Sequence, residues 1–188
     1  MSLTLSDAAL DWSLKHVTAW GDTDIFPTAF EFEAISSEWN NVKASIQSAD
    51  MMKWKVRPYR RCLVPKHRFG FRISTQLDPL DFLAFTALIH EVGEKLEACR
   101  IPVADNIVHS YRFSPDADGR MFSDKYTYRS FQKASHDACE TYNPSHVVIA
   151  DIADFFPRLY THRIDNALDS ALGVGHMHAL AIRQLIGH

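Results

Sequence analysis

Residues 78–100 read DPLDFLAFTALIHEVGEKLEACR, and they predict a long helix near the middle of the chain. Asp78 suits the N-cap because its carboxylate can accept a hydrogen bond from a backbone N–H of the first turn. Pro79 suits the first helical position, where no N–H is needed. Apolar residues recur through the stretch at a spacing that would give the helix a buried face.

Further elements are predicted on both sides of this helix. Helical patterns cover 5–19, with Ser6 or Asp7 as N-cap, then 29–48, 123–140, a helix starting near Pro157 or Thr161, and 176–186. An alternating pattern from Arg60 to Gln76 predicts a β-hairpin with its turn near 67–70. Short strands are predicted at 107–113 and 146–151. The predicted fold class is α/β (α+β), with strands in separated places.

Composition indicates a soluble globular chain. Its 188 residues are 46% hydrophobic and 23% charged, with a net charge of -3. No apolar run approaches the roughly 20 residues of a membrane helix, and the start does not resemble a secretory signal. Three scattered cysteines favour reduced thiols, so we expect a cytoplasmic protein without membrane contact.

The near-neutral average hides a strongly basic segment at 53–72, KWKVRPYRRCLVPKHRFGFR. It contains 8 of the chain's 20 Lys and Arg residues and no acid. Aromatic residues (Trp54, Tyr59, Phe69 and Phe71) are interleaved with the charges. Basic side chains neutralise phosphates and aromatic rings stack on bases, which favours a polyanion site. The alternative is a solvated hairpin whose aromatic residues face the core.

A second informative stretch is VVIADIADFFPRLYTHRIDNAL, residues 147–168. The Val-Val-Ile-Ala run is typical of a strand buried on both faces, and it ends on Asp151. A carboxylate at the end of such a strand is costly unless it is paired, hydrogen-bonded or metal-bound. Asp151 is therefore either a ligand for a cation such as Mg²⁺ or a cap of the next turn. Asp154 fits better as an exposed or capping residue.

Asp-Ile-x-x-Phe-Phe-Pro, followed by Leu-Tyr-Thr-His and Ala-Leu, resembles the first catalytic-aspartate motif of reverse transcriptases. The run YTHRIDNAL is most similar to the bacterial enzymes of abortive infection and other phage defence. PKHRFGFR at 65–72 is similar to the Pro-Lys-x-x-Gly-x-x-Arg pattern of their fingers hairpin. SYRFSPDADG at 110–119 and GDTDIFPTAFEFEAI at 21–35 resemble further parts of the same enzymes, in the same order.

The resemblance implies the fold and activity of an RNA-directed DNA polymerase, with an RNA template, a DNA primer and dNTPs as partners. Asp151 and the carbonyl of Ile152 would hold catalytic Mg²⁺, and Phe156 would exclude a 2′-hydroxyl. Lys66 and Arg72 would grip the triphosphate. Arg61 and Arg68 would contact the template backbone. The alternative for Phe156 is a core aromatic residue.

The same resemblance divides the chain into a helical N-terminal extension (1–50), a fingers-like region (51–140) and the start of a palm (141–188). The second carboxylate cluster of such enzymes, an aromatic-x-Asp-Asp turn, does not occur in these 188 residues. We therefore expect no polymerase activity from this chain alone, and expect its gene to continue into that motif. A non-catalytic nucleic-acid-binding module is the alternative function, and a chance match to an unrelated α/β protein stays open.

The ten histidines do not suggest a zinc site. His176 and His178 form a His-Met-His pair, but further ligands at suitable spacing are not evident in the sequence. His162, in the Tyr-Thr-His run, is predicted to be a packing residue near a helix start, with Thr161 as a possible cap.

Overall fold

The computed structural model describes residues 2–21, 28–152, 155 and 158–187. Helices and two strands follow one another along the chain. They are α1 (Asp7–Ala19), α2 (Glu31–Ser37), α3 (Trp39–Ser48), β1 (Arg60–His67), β2 (Gly70–Gln76), α4 (Pro79–Ala98), α5 (Tyr128–Tyr142), α6 (Thr161–Leu172) and α7 (Met177–Ile186). The fold is therefore mixed α and β, with a two-stranded antiparallel sheet.

The predicted central helix is confirmed as α4. The Asp78 carboxylate accepts a hydrogen bond from the backbone N–H of Leu80 at 3.0 Å, and Pro79 begins the helix. Leu83, Ala84 and Leu88 are fully buried where α4 meets its neighbours. The helix packs against α1, α6 and α7, so it lies at the centre of the apolar core.

The N-terminal helices follow the predicted pattern with one difference. Ser6 caps α1, accepting a hydrogen bond from the N–H of Ala9 at 3.3 Å. The single helix predicted over 29–48 is two helices, because Glu38 leaves helical geometry at φ −110° and ψ 26°. The break lets Phe32 of α2 and Ile46 of α3 reach two different apolar clusters.

The strand predicted over 107–113 is wrong. Within the described residues this stretch makes only an isolated bridge, between Phe113 and Phe122. Tyr111 has a left-handed backbone with φ 50°, which an extended strand cannot contain. Its carbonyl accepts a hydrogen bond from the Arg100 guanidinium at 2.6 Å, so a side chain replaces a strand neighbour here.

A close contact fastens this irregular segment to α4. The ring of Phe113 lies directly over Gly93, where an added methyl group would overlap the ring. The next anchor is an ion pair between Arg112 and Glu97 at 2.6 Å. The segment then lies across α1, where the Trp12 indole donates to the carbonyl of Asp116 at 2.7 Å.

Gly93→Ala is expected to destabilise the protein because the new methyl group must displace the Phe113 ring. Overpacking lowers the free energy of unfolding by about 1–3 kcal/mol. Alanine forms helices better than glycine, which raises it by about 1 kcal/mol. Urea unfolding of the single and double variants of Gly93→Ala and Phe113→Ala measures the coupling. Without the ring, Gly93→Ala should become neutral or stabilising; strictly additive effects would contradict the contact.

The strand predicted over 146–151 is also wrong. Residues 146–151 lie outside any helix or strand, and Val147, Val148 and Ile149 are 60%, 89% and 93% exposed. A β-branched run needs a neighbouring strand to satisfy its backbone groups. The described residues place no such strand beside it. The remaining helices at 128–142, 161–172 and 177–186 confirm the predictions for their regions, with His176 capping the last.

Within the described ranges, no helix has the length and apolar character needed to cross a membrane.

Candidate nucleic-acid interface

The hairpin of β1 and β2 is the main candidate site. The strands pair antiparallel from Arg60 opposite Gln76 to His67 opposite Gly70, with an irregularity between Pro65 and His67. The turn therefore falls at Arg68 and Phe69, where the sequence predicted it. The hairpin brings together four of the predicted site residues: Arg61, Lys66, Arg68 and Arg72. All four are exposed.

One face of the hairpin is apolar and open. Leu63 pairs with Ile73, and Pro65 pairs with Phe71, so these four residues share a face. Leu63 is 71% exposed, and Ile73 and Phe71 are each 68% exposed. Cys62, Val64 and Ser74 on the opposite face are half-buried. The outward apolar face offers contact to a flat, partly apolar ligand such as a base pair.

Most cations of the basic segment have no acidic partner among the residues that the structure describes. No carboxylate of the described residues lies within 4.0 Å of the side-chain nitrogens of Lys53, Lys55, Arg61, Lys66, Arg68 or Arg72. A concentration of unpaired cations on one hairpin produces a local positive potential that attracts polyanions. The six cations therefore remain available to a polyanion as far as the described residues are concerned.

Two of the eight cations are structural instead. Arg60 forms an ion pair with Glu31 of α2 at the root of the hairpin. The hydrogen bond from Arg60 lowers the pKa of the Glu31 carboxyl, and Glu31 in turn raises the pKa of Arg60. Arg57 pairs with the buried Asp81. These two residues fix where the hairpin leaves the core.

Asp81 anchors the segment that leads into β1. It lies fully buried in the first turn of α4 and accepts three hydrogen bonds from 54–57. The donors are the Trp54 indole at 2.7 Å, the backbone N–H of Arg57 at 2.6 Å and the Arg57 guanidinium at 2.9 Å. The first turn of α4 thereby positions the root of the basic hairpin.

The aromatic residues of the segment are divided between core and solvent. Trp54 is buried, but Phe69 and Phe71 are 83% and 68% exposed. The alternative in which the aromatic residues face the core is therefore right for Trp54 and wrong for these two. The Arg68 guanidinium lies 5.1 Å from the centroid of Phe69, and Arg61 lies 5.7 Å from that of Tyr59.

Asp151 and Ile152 lie apart from this hairpin in the contacts that the structure describes. Both are exposed, in the stretch between α5 and α6, and no hydrogen bond or ion pair of the described residues links them to Lys66 or Arg72. Phe156 lies outside the described residues, as does Asp154. His162 is exposed on the first turn of α6, where its ring lies 5.7 Å from that of Tyr160.

The donors around Asp151 fit Mg²⁺ in type but not in number. A carboxylate and a backbone carbonyl are oxygen ligands of the kind that Mg²⁺ prefers. No group of three His, Cys, Asp or Glu side chains suited to a metal is found among the described residues. A two-metal site needs further carboxylates, so these residues alone do not make one.

No protein-family model matches this sequence, and no curated protein or solved structure matches it either.

The sequence analysis missed two features of the structure, although each has a weak signal in the sequence. The anchor at Asp81 has a faint signal, a single acid within the apolar stripe of a core helix. The signal for a cleft formed by residues 107–131 is the high density of aromatic residues in YRFSPDADGRMFSDKYTYRSF, residues 111–131.

Proposed function

We propose that this chain forms the fingers and the start of the palm of an RNA-directed DNA polymerase. The observation that supports it best is the exposed, acid-free hairpin, which precedes the Asp151 motif in the order that the resemblance implies. Lys66 and Arg72 then hold the triphosphate of the incoming dNTP, and Arg61 and Arg68 contact the template backbone. The biological role implied by the resemblance is phage defence in the cytoplasm, which suits the free thiols of Cys62, Cys99 and Cys139.

The hairpin has the physical properties that the fingers role needs. Arginine binds phosphate oxygens in a bidentate way, and lysine acts as a point charge. Because the cations have no acidic partner in the described residues, phosphate does not have to compete with a carboxylate for them. The open face of Leu63 and Ile73 can pack against the flat surface of a base pair.

The region around Asp151 supports the palm role in a different way. The exposed Val147–Val148–Ile149 run has strand composition without a strand neighbour in the described residues. In a polymerase palm, strands bearing the second carboxylate cluster would pair with it and supply the missing ligands for Mg²⁺. Phe156 would limit the sugar of the incoming nucleotide. We accordingly expect these 188 residues to bind nucleic acid without extending a primer.

A second candidate function is a non-catalytic nucleic-acid-binding module. The basic hairpin favours it because its exposed cations, which have no acidic partner among the described residues, can bind phosphate without any contribution from Asp151. Under this proposal the Asp151 motif has no catalytic role. The two functions share the hairpin and differ in what Asp151 does and in whether Lys66 and Arg72 bind a dNTP or the nucleic acid.

The shared part is tested with the hairpin triple variant Lys66→Gln, Arg68→Gln and Arg72→Gln. If the hairpin is a binding module, removing three phosphate contacts should reduce the slope of log affinity against log salt by about 2–3. If Lys66 and Arg72 hold the triphosphate instead, only the Arg68 contact is lost and the slope should fall by about 1. Fluorescence anisotropy with a labelled RNA–DNA hybrid, repeated over a salt series, measures the slope. Lys95→Gln, an exposed lysine on α4, is the control for the loss of a positive charge. An affinity that ignores salt, or that the triple variant leaves unchanged, contradicts both functions.

The polymerase function is tested by primer extension on an RNA template with a polymerase that joins these residues to a second carboxylate cluster, with and without the carboxylate of Asp151. Synthesis that depends on Asp151 supports the polymerase. Binding through the hairpin without any such synthesis supports the module.

A further inference from the structure

A cleft of about 740 Å³ opens at a distance in sequence from both the hairpin and Asp151. One wall is the segment 107–111, and the other is formed by Phe122, Ser123, 126–128 and Phe131 at the start of α5. Aromatic rings dominate the lining. Tyr111 and Tyr128 are each 71% exposed, and Phe131 is 49% exposed. Such a concentration of open rings is unusual for a surface that serves only to enclose a core.

The aromatic rings of the cleft are fixed by contacts although they are exposed to solvent. Tyr111 and Phe122 meet in a T-shaped arrangement, with centroids 5.3 Å apart and planes at 69°. The backbone of Tyr111 is left-handed, and Arg100 fixes it by donating to the carbonyls of Ser110 and Tyr111. An aromatic residue in this conformation is strained, and such strain tends to concentrate at functional sites.

Cations beside the cleft divide into paired and unpaired groups. Arg100, Arg112 and Arg120 form ion pairs with Glu97, Asp116 or Asp124 and serve the structure. Lys125 and Arg129 are exposed, and no carboxylate of the described residues lies within 4.0 Å of their side-chain nitrogens. Lys125 immediately precedes Tyr126, and Arg129 immediately follows Tyr128. Both tyrosines line the cleft. Open rings are thus combined with unpaired positive charge.

We propose that this cleft binds unpaired bases of a single-stranded nucleic acid. Bases stack on Tyr128 and Tyr111, while Lys125 and Arg129 neutralise the phosphates of the same strand. Ring stacking with flanking cations is how single strands are held without sequence preference. A duplex cannot use the cleft because its bases already stack on one another. The proposal goes beyond the hairpin function by adding a second contact surface and a preference for single strands.

The test uses the full chain and a short oligodeoxythymidine carrying one 2-aminopurine, whose fluorescence reports stacking. Tyr128→Leu keeps apolar volume but removes the π-face, and we expect about tenfold weaker single-strand binding. Tyr128→Phe should bind as the unchanged protein does. Tyr142→Ala removes an exposed ring from the far end of α5 and is the matched control. Thermal unfolding confirms that each variant is folded.

The outcomes separate this inference from the hairpin function. Loss of affinity and of the 2-aminopurine signal in Tyr128→Leu, with duplex binding unchanged, supports the cleft. If Tyr128→Leu and Lys125→Gln/Arg129→Gln bind normally while the hairpin triple variant does not, the cleft is overturned and the hairpin function stands. If Tyr128→Leu keeps full single-strand affinity but Tyr128→Asp lowers it, charge and not stacking determines the binding, and the inference is wrong. Absence of nucleic-acid binding in the unchanged chain overturns the cleft together with the hairpin function.

Discussion

Asp151→Ala is expected to abolish DNA synthesis by a polymerase that joins these residues to a second carboxylate cluster. In a two-metal site each carboxylate helps to hold the ions that stabilise the attacking and leaving oxygens, so the loss of one should reduce synthesis to background. Primer extension with labelled dNTPs on an RNA template is the measurement. Binding of the primer–template should persist, because the cations proposed to contact phosphate lie on the hairpin.

Stability should be unaffected by the same substitution. Asp151 is exposed and makes no hydrogen bond or ion pair that the structure describes, so its replacement should change the free energy of unfolding by no more than about 0.5 kcal/mol. Asp118→Ala, which removes another exposed aspartate, is the matched control and should leave synthesis intact. Undiminished synthesis by the Asp151 variant would refute the polymerase function and leave the binding module.

The hairpin and most helices could be predicted because their signals are local. A cap and a proline fix the start of α4, and alternation with a Gly-containing turn specifies β1 and β2. The break between α2 and α3 has no comparable signal. Glu38 is a common helix residue, and only the two apolar clusters that Phe32 and Ile46 enter explain why the chain turns there.

The two strands that failed depend on partners far away in sequence. A Val-Val-Ile-Ala run is apolar enough for a buried strand, but strand formation needs hydrogen bonds from a neighbour. For 107–113 the backbone is instead fixed by side chains of α4 and by Arg100. Periodicity contains no information on which partner is present, so composition alone predicted strands in both places.

The candidate site shows the same limit. Charge counting found the basic segment but treated Arg57 and Arg60 like the other six cations. Their roles depend on Asp81 and Glu31, which are 24 and 29 residues away in sequence. Likewise, Phe71 is exposed and Trp54 is buried because the hairpin points away from the core. Neither distinction can be drawn from the order of residues in 53–72.

Asp81→Ala is expected to destabilise the protein by about 3 kcal/mol, the low end for breaking a buried pair, because Arg57 is partly exposed and can regain water. Three donors lose their acceptor at once: the Trp54 indole, the backbone N–H of Arg57 and its guanidinium. The Trp54 indole is buried, so water cannot replace the lost acceptor and the N–H group is left without a hydrogen bond. The midpoint of thermal unfolding should fall by about 6–12 °C.

The anchor also makes a prediction about function that a purely structural aspartate would not. If Asp81 positions the root of the hairpin, Asp81→Asn should weaken nucleic-acid binding at temperatures where the protein is still fully folded. The amide keeps one acceptor oxygen, but its NH₂ group must face either the backbone N–H of Arg57 or the Trp54 indole and Arg57 guanidinium, which are all donors. Asp105→Ala, an exposed aspartate, should change neither stability nor binding. Reduced stability with unchanged affinity would show that the hairpin keeps its position without this anchor.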